Sequence, residues 1–484
     1  MDNKTVSNLN IRDIALRDNF TLAEKFNFAV IYLIFILITW YPFGRSTMFL
    51  GFIFILCLTS LFNLKVHEKV HPFLIDKLWL KSGVLISGPL IILVVYFATG
   101  NSSGLDYILN AGTDYWSLKE GYNILDTNLL WNTRWGQFTA LFTLFALCTH
   151  LFIIPKSLYF INKLLGWCCI NVGMIAIVGF LYKAAALKAP LFLESNGSDD
   201  FFFYFAYDGF WAAFAIMWVF ISYALSVIEF EKGSIPFIET TAPIYITISI
   251  LLASTALIVQ ANLPAAFLAL SYSFICIQKI KFFSSKKDPI FKAIKPYCIL
   301  LFIISFLFGI YRLILSYPES DEIMHLKNSA LEIFYQSPSF GWGIDAFQIL
   351  APFYNDVQLS DDYYELAPTG ILSMLIEFGI FGTLIIALYA SFMLIRYSIL
   401  KQENPFSNTI LMGLFALLIL NFFETPFYNV PTLFSFWIIW FCAFRWADLL
   451  IKNPDEVDTG VQLLTDDKLR NIPYVAEPKK EVFK

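Results

Sequence analysis

A chain of 484 residues that is 58% hydrophobic and only 15% charged stands far from the soluble globular average of about 25% charged residues, and no aqueous fold hides that much apolar surface. The composition excludes a soluble domain with a single anchor and implies an all-α polytopic membrane protein. Aromatic residues reach 18% and suit lipid-facing and interfacial positions, while the net charge of -5 informs only through where the charges fall.

Residues 1–25 are polar and mixed in charge, and the apolar run after them lacks a small-residue cleavage site, so it reads as an uncleaved first span. A crossing needs roughly 20 mostly apolar residues. Such stretches lie near 26–43, 46–63, 82–99, 136–154, 164–183 and 208–227, then near 243–261, 263–278, 297–315, 370–395, 409–424 and 431–449. The expectation is therefore about twelve transmembrane helices. The seventh and eighth form a hairpin at Asn262, Leu263 and Pro264, and the eighth is short enough to be partly re-entrant. Segment 26–315 carries the first nine spans, 316–369 is a large loop between the ninth and tenth, 370–449 carries the last three, and 450–484 is a polar tail.

With the N-terminus placed in the cytoplasm, Arg45, Lys119, Arg134, Lys183, Lys188, Arg312 and Lys327 are the outer cations out of 33 Lys and Arg. That asymmetry puts both termini inside. The long outer loops are then 100–135, 184–207 and 316–369, and loops of such length are usually functional or disordered. In the last, Asp321 to Gln336 places Ile323, Leu326, Ala330, Ile333 and Phe334 on one face, with Ser320 as N-cap and Pro338 beyond the end. This predicts an amphipathic helix lying at the membrane surface. The tail carries no Gly-rich phosphate loop, which argues against an ATP-driven pump, and nothing points to nucleic acid. The cysteines, Cys57, Cys148, Cys168, Cys169, Cys276, Cys298 and Cys442, all lie in apolar stretches. A disulfide framework or zinc site is not expected from them.

Arg45, Arg134 and Arg312 lie at span mouths, where each either snorkels to the headgroups or grips phosphate oxygens with its planar fork. Arg134 and Arg312 are the preferred phosphate ligands. His325 is the histidine that falls on the outer side, as a surface residue of the amphipathic helix or as an acid or base. Carboxylates in the same loop, Asp345, Asp356, Asp361, Asp362 and Glu365, are either solvated or candidates for activating a hydroxyl. Glu377 lies about two turns into the tenth span, where a charge is costly and is paired or functional.

Between 337 and 382 the chain reads Ser337-Pro338-Ser339-Phe340-Gly341-Trp342-Gly343, then Phe347, and later Glu377-Phe378-Gly379-Ile380-Phe381-Gly382. This paired arrangement resembles the bacterial O-antigen polymerase and O-antigen ligase superfamily, whose members carry a Pro-x-x-Gly-x-Gly-x-x-x-Phe stretch in a large periplasmic loop and a Glu-x-Gly-x-x-Gly helix start. Gly341 and Gly343 permit backbone conformations and approaches that a side chain forbids, and Gly379 with Gly382 allows close packing by a helix or lipid. Two departures stand out: Pro368 occupies the position of the ligases' histidine, and the hairpin at Asn262-Leu263 lacks the arginine common there. Both favour the polymerase branch.

The resemblance implies a metal-independent, cofactor-free glycosyltransferase in the bacterial inner membrane, using an undecaprenyl-diphosphate-linked glycan at the periplasmic face. It assigns Arg312, Arg134 and Arg45 to the diphosphate and His325, Asp361, Asp362 or Glu365 to the acceptor. Membrane lipids and possible association with a chain-length regulator complete the expected partners. The alternatives are a ligase delivering glycan to lipid A core or to protein and, from another class, a lipid-linked glycan flippase or transporter.

Overall fold

Two helix starts in this chain are written in short polar side chains. Ser157, in extended backbone, accepts the amide of Phe160 at 3.1 Å, and Asn404 accepts that of Ser407 at 2.8 Å with Pro405 following it. Both satisfy amides that the first turn leaves orphaned. The structure is a computed structural model and describes residues 20, 22–40, 157–185, 202–203, 205, 207–231, 240–285, 289–317, 321–343, 346–354, 367–399 and 404–450, with isolated residues between 55 and 95 and backbone at 107–109 and 116–118.

In chain order the described elements are α1 (Leu22–Trp40), β1 (Tyr107–Leu109), β2 (Trp116–Leu118), α2 (Leu158–Ala184), α3 (Asp208–Glu231), α4 (Ala242–Thr255), α5 (Asn262–Ser285), α6 (Pro289–Leu315), α7 (Asp321–Gln336), α8 (Ala346–Tyr354), α9 (Gly370–Ile399), α10 (Pro405–Leu420), a 3-10 turn (Pro426–Tyr428) and α11 (Val430–Leu450). The protein is helical and membrane-embedded: six of these helices are long and apolar enough to cross a bilayer. One antiparallel pair, β1 with β2, is a small departure from an all-α chain. The expected spans near 46–63, 82–99 and 136–154 fall mostly or wholly outside the described residues.

At the hairpin the structure corrects the sequence reading. α5 is a full-length crossing helix rather than a short re-entrant one, because Leu263 and Pro264 occupy its first turn, where proline's missing amide costs nothing. The short partner is α4, which ends at Thr255 and continues as turns through Ile258.

α3 lies at the centre, with 89% of its apolar window buried, whereas α6 lies at the periphery with 6%. Ile303, Leu307, Ile310 and Ile314 of α6 accordingly face outward, where lipid chains solvate them as readily as a core would. Between helices, packing relies on small residues. A side chain at Gly413 would meet the Phe220 side chain at 2.9 Å, and Gly166 leaves room for the hydroxyl of Tyr245.

Polar contacts tie the two ends of the bundle. At one end Lys183 pairs with the buried Asp208 at 3.4 Å, Asp208 accepts the Gln260 amide at 2.9 Å, and Arg312 donates to Asn262 at 2.8 Å. At the other, Glu229 accepts from Asn162 and Thr241, and Lys279 donates to Ser226. The termini of α2 through α6 thus alternate between ends, as consecutive crossings must. A second, smaller core of Leu326, Ala330, Ile333, Ala346, Phe347, Leu350, Ala351, Ala367 and Ile376 joins α7, α8 and the start of α9 at the Arg312 end. The amphipathic face of α7 is therefore covered by protein and not laid on lipid, and Ile323, expected on that face, is exposed.

Candidate active site at a broken helix

α9 is two helices joined at Gly379, whose backbone (φ 67, ψ -173) lies outside the range open to other residues. In an unbroken helix the amides of Ile380 and Phe381 would donate to the carbonyls of Ile376 and Glu377. Both bonds are gone, and the loop from Pro338 to Gly343 replaces them. Ile380 N donates to Pro338 O at 2.9 Å and Phe381 N to Ser339 O at 3.1 Å, while Trp342 N donates to Ile376 O at 2.7 Å and Gly343 N to Glu377 O at 2.9 Å. These four main-chain groups at the break each find a main-chain partner in the loop.

Such an insertion requires glycine on both strands of the contact. A side chain on Gly341 (φ 72) would meet Gly379 N at 2.5 Å and Glu377 O at 2.6 Å; one on Gly379 would meet Ser339 O at 2.4 Å. Around this contact the Phe340 and Phe381 rings pack 5.4 Å apart, and Trp342 Nε1 donates to Ile333 O at 2.9 Å, fastening α7 to the loop. Gly379 thus serves to break its helix rather than to admit a neighbouring helix or lipid. Gly382 follows, buried, in the second half.

Glu377 is the last acidic residue before the break and is buried. Its Oε1 accepts from Ser373 Oγ at 3.2 Å, one turn back, and from the hydroxyl of Tyr428 in the 3-10 turn. The start of α9 is held by the turn that ends α10: Gly370 N donates to Glu424 O at 2.9 Å and Ile371 N to Asn421 O at 3.1 Å, while Thr369 Oγ1 caps Leu372 N. Glu424 is half-buried there. Burial pushes its carboxyl up to about 7, and the Lys327 ammonium on α7 pulls in the opposite direction.

Arg312 ends α6 at the same end of the bundle, half-buried, with its guanidinium 5.2 Å over the Phe308 ring. One nitrogen donates to Asn262 Oδ1; its Nε is buried without a partner among the described residues. The structure therefore unites Pro338, Gly341, Gly343, Glu377 and Gly379, places Phe347 in the adjoining core, and puts Arg312 at the same end. His325 lies on the exposed side of α7. Arg45, Arg134, Asp361, Asp362 and Glu365 lie outside the described residues. Sequence reasoning missed Ser373, Tyr428, Glu424 and Lys327. The last two carried a signal, being charged residues beside apolar stretches, whereas a tyrosine hydroxyl on a buried glutamate 51 residues away has no local signature. Compared with known protein families, characterised proteins and solved structures, the chain matches none.

Proposed function

We propose that the protein is a multi-pass glycosyltransferase of the bacterial inner membrane, with about twelve spans and both termini cytoplasmic, that joins undecaprenyl-diphosphate-linked repeat units at the periplasmic face. The observation that carries this reading is the reciprocal contact of Gly341 and Gly379. The two motif halves on which the resemblance to O-antigen polymerases and ligases rests are one structural unit, and a chance pair of glycine motifs would have no reason to meet.

In this reading an acceptor hydroxyl attacks the anomeric carbon of the donor and the lipid diphosphate leaves. Diphosphate is a capable leaving group, so the protein's main roles are to neutralise its developing charge and to orient the hydroxyl. Arg312 suits the first of these roles, because Asn262 and Phe308 hold its guanidinium while Nε has no partner among the described residues. Asn262 belongs to the hairpin pair Asn262-Leu263 where the resemblance leads one to expect an arginine, and Arg312 brings a guanidinium to that pair from the next helix. Pro368 at the ligase histidine position favours the polymerase branch over transfer to lipid A core or protein.

A broken helix is also a hallmark of transporters, where freed backbone groups at mid-membrane hold ions or substrate. Here the carbonyls of Ile376 and Glu377 and the amides of Ile380 and Phe381 are taken by Pro338 to Gly343, which supports the enzyme over the flippase. The test is incubation of purified protein with undecaprenyl-diphosphate-linked repeat units and no nucleotide. Chain growth by the wild type, reduced at least about 100-fold in Arg312→Ala, is the expected result; unaltered glycan contradicts the proposal. A deletion strain separates the branches, since loss of a polymerase leaves one repeat unit on the surface and loss of a ligase leaves none.

A further inference from the structure

Arg312 stands in the last turn of α6, the least buried of the six crossing helices. Phe308 lies one turn back on the same helix and moves with it, so a fixed place for the guanidinium depends on a contact from another element. Among the described residues that contact is Asn262 Oδ1, which accepts from Nη1 at 2.8 Å. Asn262 is the first residue of α5 and follows Val259, Gln260 and Ala261, a connection that belongs to neither α4 nor α5. Where Asn262 lies is therefore decided by what holds that connection.

The hold comes from the central helix. Gln260 N donates at 2.9 Å to Oδ2 of Asp208, in the first turn of α3 and 52 residues away, and the same oxygen receives the Lys183 ammonium from the last turn of α2 at 3.4 Å. Asp208 is fully buried, whereas Gln260 is exposed. An exposed amide in a connection can be satisfied by water, and an acid at a helix start is already well placed toward that helix's own dipole. Neither group needs the other for its own sake. A buried carboxylate also demands a balancing charge, and such a pair is weak evidence for stability. What it supplies is a firm, directed grip, since a bond to an ionised acceptor is roughly twice as strong as one to a neutral oxygen.

Resting on the transfer reaction proposed above, we propose that Asp208 is a positioning residue for Arg312. Its carboxylate fixes the main chain at Gln260, which sets Asn262 two residues on, and Asn262 holds the guanidinium where charge develops on the diphosphate. Lys183 neutralises Asp208 and touches no substrate. Elements α2 and α3 and the α4–α5 hairpin thereby orient one side chain carried by α6. A displacement of about 1 Å at a group that acts on the transition state costs up to about 100-fold in rate, so the anchor acts on the reaction through Arg312.

The test compares elongation rates of purified variants in the wild-type and Arg312→Ala backgrounds, with a melting temperature for each. Asp208→Asn with Lys183→Met removes both charges and keeps an oxygen that accepts from Gln260, and it should retain most of the wild-type rate. Asp208→Leu with Lys183→Met removes the acceptor as well and should lose at least about tenfold. Gln260→Pro deletes the donor from an exposed position, leaves the buried pair intact and should lose a similar factor, which keeps the test open if the leucine variant does not fold. In the Arg312→Ala background the leucine and proline changes should alter the residual rate by less than about twofold, because the side chain they position is gone. Wild-type elongation by Gln260→Pro, equal rates for the asparagine and leucine variants, or an equal loss in both backgrounds overturns the positioning role and leaves the transferase intact. Wild type that does not elongate, or Arg312→Ala that elongates like wild type, overturns the transferase reading and this inference with it.

Discussion

Glu377 lies within the first half of α9 and Glu424 in the turn that receives that half's first amide, and the two are treated in opposite ways. The carboxylate of Glu377 is supplied with hydroxyl donors from Ser373 and Tyr428, an arrangement that ties the 3-10 turn to α9. A hydrogen bond contributes about 0.5–1.5 kcal/mol net, so Tyr428→Phe should lower the stability of the purified protein by about that amount, read as a fall in melting temperature. No change would mean the hydroxyl contact carries nothing. Glu424 has fewer partners, and its pH behaviour follows. Its carboxyl ionises near 7 in the fold against 4.5 for an ordinary glutamate, so between those values the folded state holds more protons than the unfolded one. Stability contributed by this group is therefore present at the acid side and is lost as pH rises toward 7. Glu424→Gln should flatten that slope; a mutant with the same pH dependence of melting as wild type would contradict it.

At the scale of elements, the break in α9 and the loop that fills it form a joint whose two sides depend on each other. Alanine at Gly379 or Gly341 adds a backbone cost of about 1–3 kcal/mol and also a side chain within 2.6 Å of main-chain atoms, atoms that cannot step aside without losing the four hydrogen bonds of the joint. Each substitution should destabilise by more than the backbone cost alone, and the pair together by less than the sum, since one substitution already opens the contact. Melting curves of the two single variants and the double variant test this, and strict additivity would deny that the glycines share one contact. The sequence made the glycine pattern and the apolar stretch visible but not the break. Residues Leu375 to Phe381 stay apolar apart from Glu377 and glycine, so hydropathy reads one continuous span through them. The hairpin misled for a related reason: Ala256, Leu257, Ile258 and Val259 are apolar enough to prolong α4 on paper, while Asn262, Leu263 and Pro264 look like a turn and in fact open a helix. α7 was legible in its periodicity, because an apolar stripe shows that something covers it. The stripe does not say whether that cover is lipid or a second core assembled from α8 and α9.

For the whole molecule, Lys183 with Asp208, Arg312 with Asn262, and the second core all gather at one end of an alternating bundle. The charge distribution expects that end to face outward, and the proposed chemistry needs it there, since polymer growth occurs where the lipid-linked units are presented. Residues at the tip of this end report the orientation without touching the joint. Gln336 is exposed at the last turn of α7, so Gln336→Cys should leave folding unchanged. Intact cells producing this variant should be labelled by a membrane-impermeant maleimide above the wild-type background, before any permeabilisation of the inner membrane. Labelling that demands a broken inner membrane would place Arg312 and the helix break on the cytosolic side, and a periplasmic transferase built on them could not exist.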